Sequence, residues 1–151
     1  MDVDTKHAFT VEGEMALPYT YFAGETGSKF LVALRDGKKI LAQKDAAGRT
    51  VLPPRRYDDK TLAPMPDAWV EVGPGGEVVG WTVIRYAEPS YQPRTPPYVL
   101  ALVKLDGADA AIPHVVAGID PAKMTKGMRV KAVFAESRKA SILDIDHFEP
   151  A

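Results

Sequence analysis

The sequence predicts a mainly β protein with three parts: a helical arm, a short knuckle-like segment and a five-stranded barrel. Three observations predict it. After Asp67, runs rich in β-branched and aromatic residues follow one another at short intervals, separated by turns that carry glycine and proline. A single helical turn, opened by Asp120 and Pro121 and closed by Gly127, interrupts these runs once. Before Asp67 only the stretch GETGSKFLVALRDG carries a helical period.

Residues 1 to 17 read as a flexible lead, because Val11, Met15 and Leu17 are too sparse to form a face. A helix is predicted over 26–36, capped by Thr26 or Ser28, with Phe30, Leu31 and Leu34 on one side and Gly37 at its end. Lead and helix form an arm over 1–38. KILAQ and RTVLP are two short strands joined by the turn DAAG, where Gly48 gives the backbone its freedom. Pro53 and Pro54 stop further pairing, and RRYDDKTLAPMPD reads as a loop that can hinge the N-terminal appendage against the remainder, so 39–66 forms a second unit.

From residue 67 to 151 the texture is that of a β protein. AWVEV alternates, GPGG is a turn, and EVVGWTVIRY is a long strand with a bulge or bend expected at Gly80. After the proline-rich loop AEPSYQPRTPP comes the nearly continuous apolar strand YVLALVKLDG. AAIPHVV is a short strand whose Pro113 marks an edge or a bulge. MRVKAVFAE sets Met128, Val130, Ala132 and Phe134 on one face. In ILDIDHF the alternation sets Ile142, Asp144, Asp146 and Phe148 against Leu143, Ile145 and His147. Counted from EVVGWTVIRY, five strands with a helical turn between the third and fourth match the OB-fold, a Greek-key barrel.

Composition removes several functions. Nineteen Lys and Arg against twenty Asp and Glu leave a net charge of −1, so the chain lacks the overall attraction on which non-specific nucleic-acid binding depends. Without cysteine there is no disulfide framework, thiolate metal site or cysteine nucleophile. The start MDVDTKHAFTVEGEM lacks the basic and apolar regions of a secretory signal, and no run approaches the ~18 apolar residues that span a bilayer. A soluble, cytoplasmic protein without membrane contact is expected.

In order and spacing, PYTYFAGETGSKF, KKILAQ, GRTVLPPR, WVEV, GWTVIRY, PPYVLALVKLDGAD, PHVV and GMRVKAVF resemble the thiolase-associated OB-fold proteins of bacteria and archaea, which carry an N-terminal helical arm and a rubredoxin-like zinc ribbon. The resemblance covers nearly the whole chain. In that family two CxxC pairs flank the GRxxxPPR segment, since a tetrahedral zinc site takes four thiolates from two tight turns. The resemblance places those four slots at Lys44, Ala47, Asp58 and Thr61, so it implies a degenerate, metal-free zinc-ribbon-like knuckle held by strand pairing, proline stiffness and the packing of Val51 and Leu52. It further implies a non-catalytic accessory subunit of a thiolase-like acyl-CoA enzyme, an acyltransferase, synthase or retro-aldolase. Such a subunit stabilises the complex, binds no cofactor by itself and lends a surface to a coenzyme A thioester at the interface with its partner. A homodimer through the arm at 18–36, using Tyr19, Tyr21 and Phe22, is the other association to expect.

Individual residues are weighed against plainer roles. His7, His114 and His147 are scattered, and no Ser, His and Asp set has a recognisable spacing, so His114 reads as a packing or interface residue. Asp144 and Asp146 read as solvent-facing charges of the last strand, and GPGGEVVG as a hairpin turn and not a phosphate loop. Arg55 and Arg56 after the diproline, with Tyr91, Arg94 and Tyr98 in or beside the proline-rich loop, form the basic and aromatic set. Together with His114 they are the candidate contacts, first for a protein partner, second for CoA phosphates and adenine, and third for single-stranded nucleic acid. A single-stranded nucleic-acid-binding OB module is the alternative function, and a stand-alone acyl-CoA-binding or hydrolytic protein a third.

Overall fold

A computed structural model describes residues 13, 15, 17–86, 92 and 94–151. His7, Tyr91 and most of the lead lie outside the described residues.

Helix α1 (Gly24–Gly37) buries Phe30 and Leu34 and half-buries Leu31, the side expected of it. Its ends differ from expectation. The N-cap is Ala23, with no side-chain cap, because Gly24 turns the chain into the helix at a φ of +76° and Thr26 and Ser28 already lie inside it. At the other end the left-handed residue is Lys38, one place beyond Gly37, and its N–H returns to the carbonyls of Ala33 and Leu34.

Strands β1 (Ile40–Lys44), β2 (Thr50–Val51) and β3 (Trp69–Val72) form an antiparallel sheet in the order β2-β1-β3. Gly48, at a φ of +83°, closes the β1–β2 turn. AWVEV lies in the segment read as barrel from the sequence, yet β3 pairs with β1, Ile40 opposite Val72 and Gln43 opposite Trp69. Alternation shows that a run is a strand and says nothing of its partner.

The barrel strands are β4 (Gly75–Ile84), β5 (Tyr98–Leu105), β6 (Ala111–Val116), β7 (Arg129–Phe134) and β8 (Ile145–Pro150), closed in the order β4-β5-β6-β8-β7. A 3-10 turn, Pro121–Lys123, sits between the third and fourth of them, its Ala122 N–H bonded to the Asp120 carboxylate at 2.9 Å. The OB-fold expectation is borne out. So is the bulge, because the β4–β5 register jumps between Val78 and Gly80. Gly76 is required by contact: a Cβ there would stand 2.6 Å from the Lys104 carbonyl oxygen.

The alternation read in ILDIDHF fails. Ile142–Asp144 is a 3-10 turn, and the β7–β8 register skips Asp146, pairing Val133 with His147 and Phe134 with Ile145. This bulge lets Ile145 and Phe148 both enter the core, where each is fully buried. Asp144 is buried too. Its carboxylate accepts the N–H groups of Lys139 and Ala140 at 2.9 Å and shapes the turn before β8, so it is no solvent-facing partner of Asp146.

One continuous core runs through all three parts, joining Leu34, Ile40, Leu52 and Val72 to Val78, Val103, Ile145 and Phe148. Polar ties reinforce it. The Thr50 N–H donates to Asp109 Oδ2 at 2.6 Å while the Asp109 N–H returns to the Thr50 carbonyl, and Arg138 donates to the Arg35 carbonyl near the helix C-terminus at 2.6 Å. The segment 55–67 therefore does not hinge a separate appendage. Among the described residues no helix is long and apolar enough to cross a membrane.

Candidate functional site

The residues singled out from the sequence fall into two clefts and a knuckle. The first cleft lies where the start of α1 meets the chain after the diproline. It encloses about 620 Å³ and is lined by Phe22, Gly24–Gly27 and Pro54–Arg56. No side-chain hydrogen bond from Ala23 caps the first turn of α1, whose positive dipole end lines this cleft. Arg55 is anchored from behind: its N–H donates to the buried Gln43 Oε1 at 3.1 Å and its guanidinium meets Asp59 at 3.3 Å. The Arg56 guanidinium carbon stands 5.5 Å from the Tyr57 ring centroid. At the rim Phe22 is 81% exposed, next to Tyr21 at 77% and Tyr19 at 78%, a run of aromatic surface that single-chain packing leaves open to water.

The second cleft opens at the barrel end between the starts of β5 and the end of β6. It encloses about 600 Å³, with Arg94 and Tyr98 in its lining. Arg94 is already engaged: it donates to Asp146 Oδ2 at 2.6 Å, and His147 Nδ1 lies 2.6 Å from the same oxygen. The His147 ring and the Arg94 guanidinium together hold the Asp146 carboxyl below the usual carboxylate range. The Arg94 pair is shorter than the one that Arg55 makes with Asp59, 2.6 against 3.3 Å, and the two arginines stand in different clefts.

His114 is buried against Phe148, ring centroids 5.5 Å apart and edge to face. Burial pushes its pKa down and keeps the ring neutral. Its Nδ1 accepts the Val115 N–H at 3.0 Å, so the ring proton sits on Nε2. Nε2 meets no hydrogen-bond partner among the described residues; the Ile142 backbone is near enough to favour a charged ring but lies outside hydrogen-bonding geometry.

In the knuckle, two turns face each other across Arg49. Asp45 Oδ1 accepts the N–H groups of Ala47 and Arg49 at 2.9 and 2.8 Å, and Asp58 Oδ1 accepts those of Lys60 and Thr61 at 2.9 and 2.8 Å. The other oxygen of each carboxylate meets the guanidinium, Asp45 Oδ2 at 2.5 Å from Nε and Asp58 Oδ2 at 3.3 Å from Nη2. Of the four slots named from the resemblance, Ala47, Asp58 and Thr61 line one hollow of about 410 Å³ together with Arg49. Among the described residues no group of three or more His, Cys, Asp or Glu is placed to hold a metal ion. Reading the sequence for metal ligands passes over Arg49 and Asp45, since neither occupies a slot; the signal present was an Asp and an Arg four residues apart across a tight turn.

Fold and clefts define a small OB-fold protein with a helical arm and a three-stranded knuckle sheet. More particularly, residues 69–135 match the family model of the ChsH2 C-terminal OB-fold domain, which bears out the resemblance to thiolase-associated OB-fold proteins over the barrel. Among solved structures, a chain of an Ltp2-ChsH2(DUF35) aldolase is similar, with 22% identity, a TM-score of 0.61, and coverage of 84% of this chain and 95% of that one. A DUF35-family protein of unknown function from Sulfolobus solfataricus is similar at 20% identity and a TM-score of 0.57, over 73% of this chain and 78% of its own. No curated protein matches the chain significantly.

Proposed function

We propose that the chain is a non-catalytic accessory subunit of a thiolase-like acyl-CoA enzyme, and that the cleft between α1 and Arg55–Arg56 is where it meets its partner and the CoA moiety. The match of the barrel to the ChsH2 OB-fold domain carries this reading, and the similarity to a chain of an Ltp2-ChsH2(DUF35) aldolase supports it. The chemistry of the cleft is suitable. The positive end of the helix dipole and two guanidinium groups favour phosphate or carboxylate, and the exposed aromatics of the arm favour an apolar protein surface. Arg94, tightly held by Asp146, and His114, buried, rank behind Arg55 and Arg56 as contacts in this reading. The loss of Arg94 as an unpaired cation also weakens the oligonucleotide reading. Self-association through the arm is the competing use of Tyr19, Tyr21 and Phe22.

Co-expression with the thiolase-like enzyme encoded beside it provides the test. The two are expected to purify together, with thioester turnover by the enzyme raised or stabilised by this chain and none by this chain alone. Purification apart, with the enzyme fully active unaided, would sink the proposal.

A further inference from the structure

The geometry of the knuckle points to Arg49 as its cross-link: we infer that the guanidinium, shared between the turn at Asp45 and the turn at Asp58, joins the two turns in the place where the resembled ribbons put a metal ion. The inference does not depend on the identity of any partner.

Four observations converge on it. Each turn opens with an aspartate whose first oxygen organises the following N–H groups, at 2.8–2.9 Å, as an anionic ligand would. Each aspartate turns its second oxygen to the same guanidinium, at 2.5 Å for Asp45 and 3.3 Å for Asp58. Asp59 adds a longer contact to Arg49 at 3.6 Å. The hollow between the turns is lined by Ala47, Asp58 and Thr61 together with Arg49, so residues at three of the four slots share it with the cation.

Local apolar packing offers little substitute. The residues that follow Leu52 on the way to the second turn, Pro53 to Tyr57, are exposed or half-buried, and ladder pairing there amounts, among the described residues, to the isolated bridge between Tyr57 and Pro64. A planar fork of five donors suits the task, because it can bond two carboxylates in different directions at once, which an ammonium does less well. The link also has a consequence for the first cleft. Arg55 and Arg56 lie on the crossover between the two turns, so the position of those turns sets where the two guanidinium groups stand at the start of α1.

Native-state hydrogen exchange on the full chain tests the inference. Replacing Arg49→Met should cost the amides of Ala47, Arg49, Lys60 and Thr61 several-fold of protection, with the barrel amides Val103 and Val130 unchanged; Arg49→Lys should fall between it and the wild type. Unchanged exchange in 45–61 would overturn the inference. If Arg49→Met does not fold, Asp58→Asn serves instead: it keeps the oxygen that organises Lys60 and Thr61 but loses the one facing Arg49, and it should open the same amides. A second arm tests the place of the cation. Lys44→Cys, Ala47→Cys, Asp58→Cys and Thr61→Cys combined with Arg49→Met should bind one zinc per chain and recover the lost protection, and a chelator should remove both. Failure to bind zinc would show that Arg49 does not stand at a metal's position.

Discussion

The knuckle and the barrel bury different chemistry. Barrel strands fill their interior with Val78, Val103, Val130, Ile145 and Phe148, all fully buried, and admit His114 as their one buried polar side chain, with Asp144 buried in the turn before β8. Around the knuckle Gln43, Asp45 and Thr50 are buried beside Ile40, Ala42, Val51 and Leu52, and the turns are held by a guanidinium between carboxylates. Apolar burial is non-directional and adds over the whole closed sheet, whereas a polar network holds a few groups in a fixed geometry and depends on every member. The contrast teaches where each chemistry lies: the barrel adds the larger share of apolar burial to the common core, and the arm with the knuckle presents Arg55, Arg56 and exposed aromatics.

The largest effect is expected from breaking the barrel. Phe148→Ala should cost about 3–5 kcal/mol of global stability, read by denaturant unfolding, since the ring is fully buried at the β8 bulge and His114 packs against its edge. A loss confined to the knuckle amides would mean that the two regions do not divide the work as argued. Next comes Asp144→Ala, which strands the N–H groups of Lys139 and Ala140 in the turn before β8 and should cost about 1–3 kcal/mol in the same measurement.

Acid should sharpen the comparison from the other side. For Asp45, burial alone would raise the carboxyl, but the Arg49 backbone N–H, its guanidinium and the Ala47 N–H outweigh burial and hold it below the ordinary value of 3.8. For Asp58 the N–H groups of Thr61 and Lys60 depress it, with the Thr61 hydroxyl and the Arg49 charge adding to them. A carboxyl depressed on folding contributes stability that is complete above the ordinary value and disappears as pH falls through the folded one. The knuckle amides of Ala47, Lys60 and Thr61 should therefore shift together in NMR spectra below a pH of about 3.8, before the barrel amides do. Simultaneous loss in both regions would remove the distinction.

Much of the fold was legible in the sequence because the barrel strands obey simple rules. Alternation in MRVKAVFAE, the glycine at the β4 bulge and the Asp120–Pro121 opening of the 3-10 turn each have a local physical cause. Three features were not legible, each for its own reason. The pairing of β3 with β1 is long-range, and alternation is blind to partners. In β8 one extra residue, Asp146, breaks the period, so Phe148, assigned to the face of Asp146, lies in the core with Ile145. The candidate site was read as one set, yet Arg55 and Arg56 line one cleft while Arg94 and Tyr98 line another, because charge pairing with Asp146 can be seen only in three dimensions.

The most direct test of the central claim is a calorimetric titration of this chain against the proposed thiolase-like partner, comparing the wild type with a Phe22→Ala, Arg55→Ala, Arg56→Ala variant whose barrel unfolds normally. The account predicts tight binding by the wild type and a loss of about tenfold or more in the variant, because arginine and aromatic anchors dominate interfaces of this kind. Equal binding by the two, or no binding by either, would contradict it.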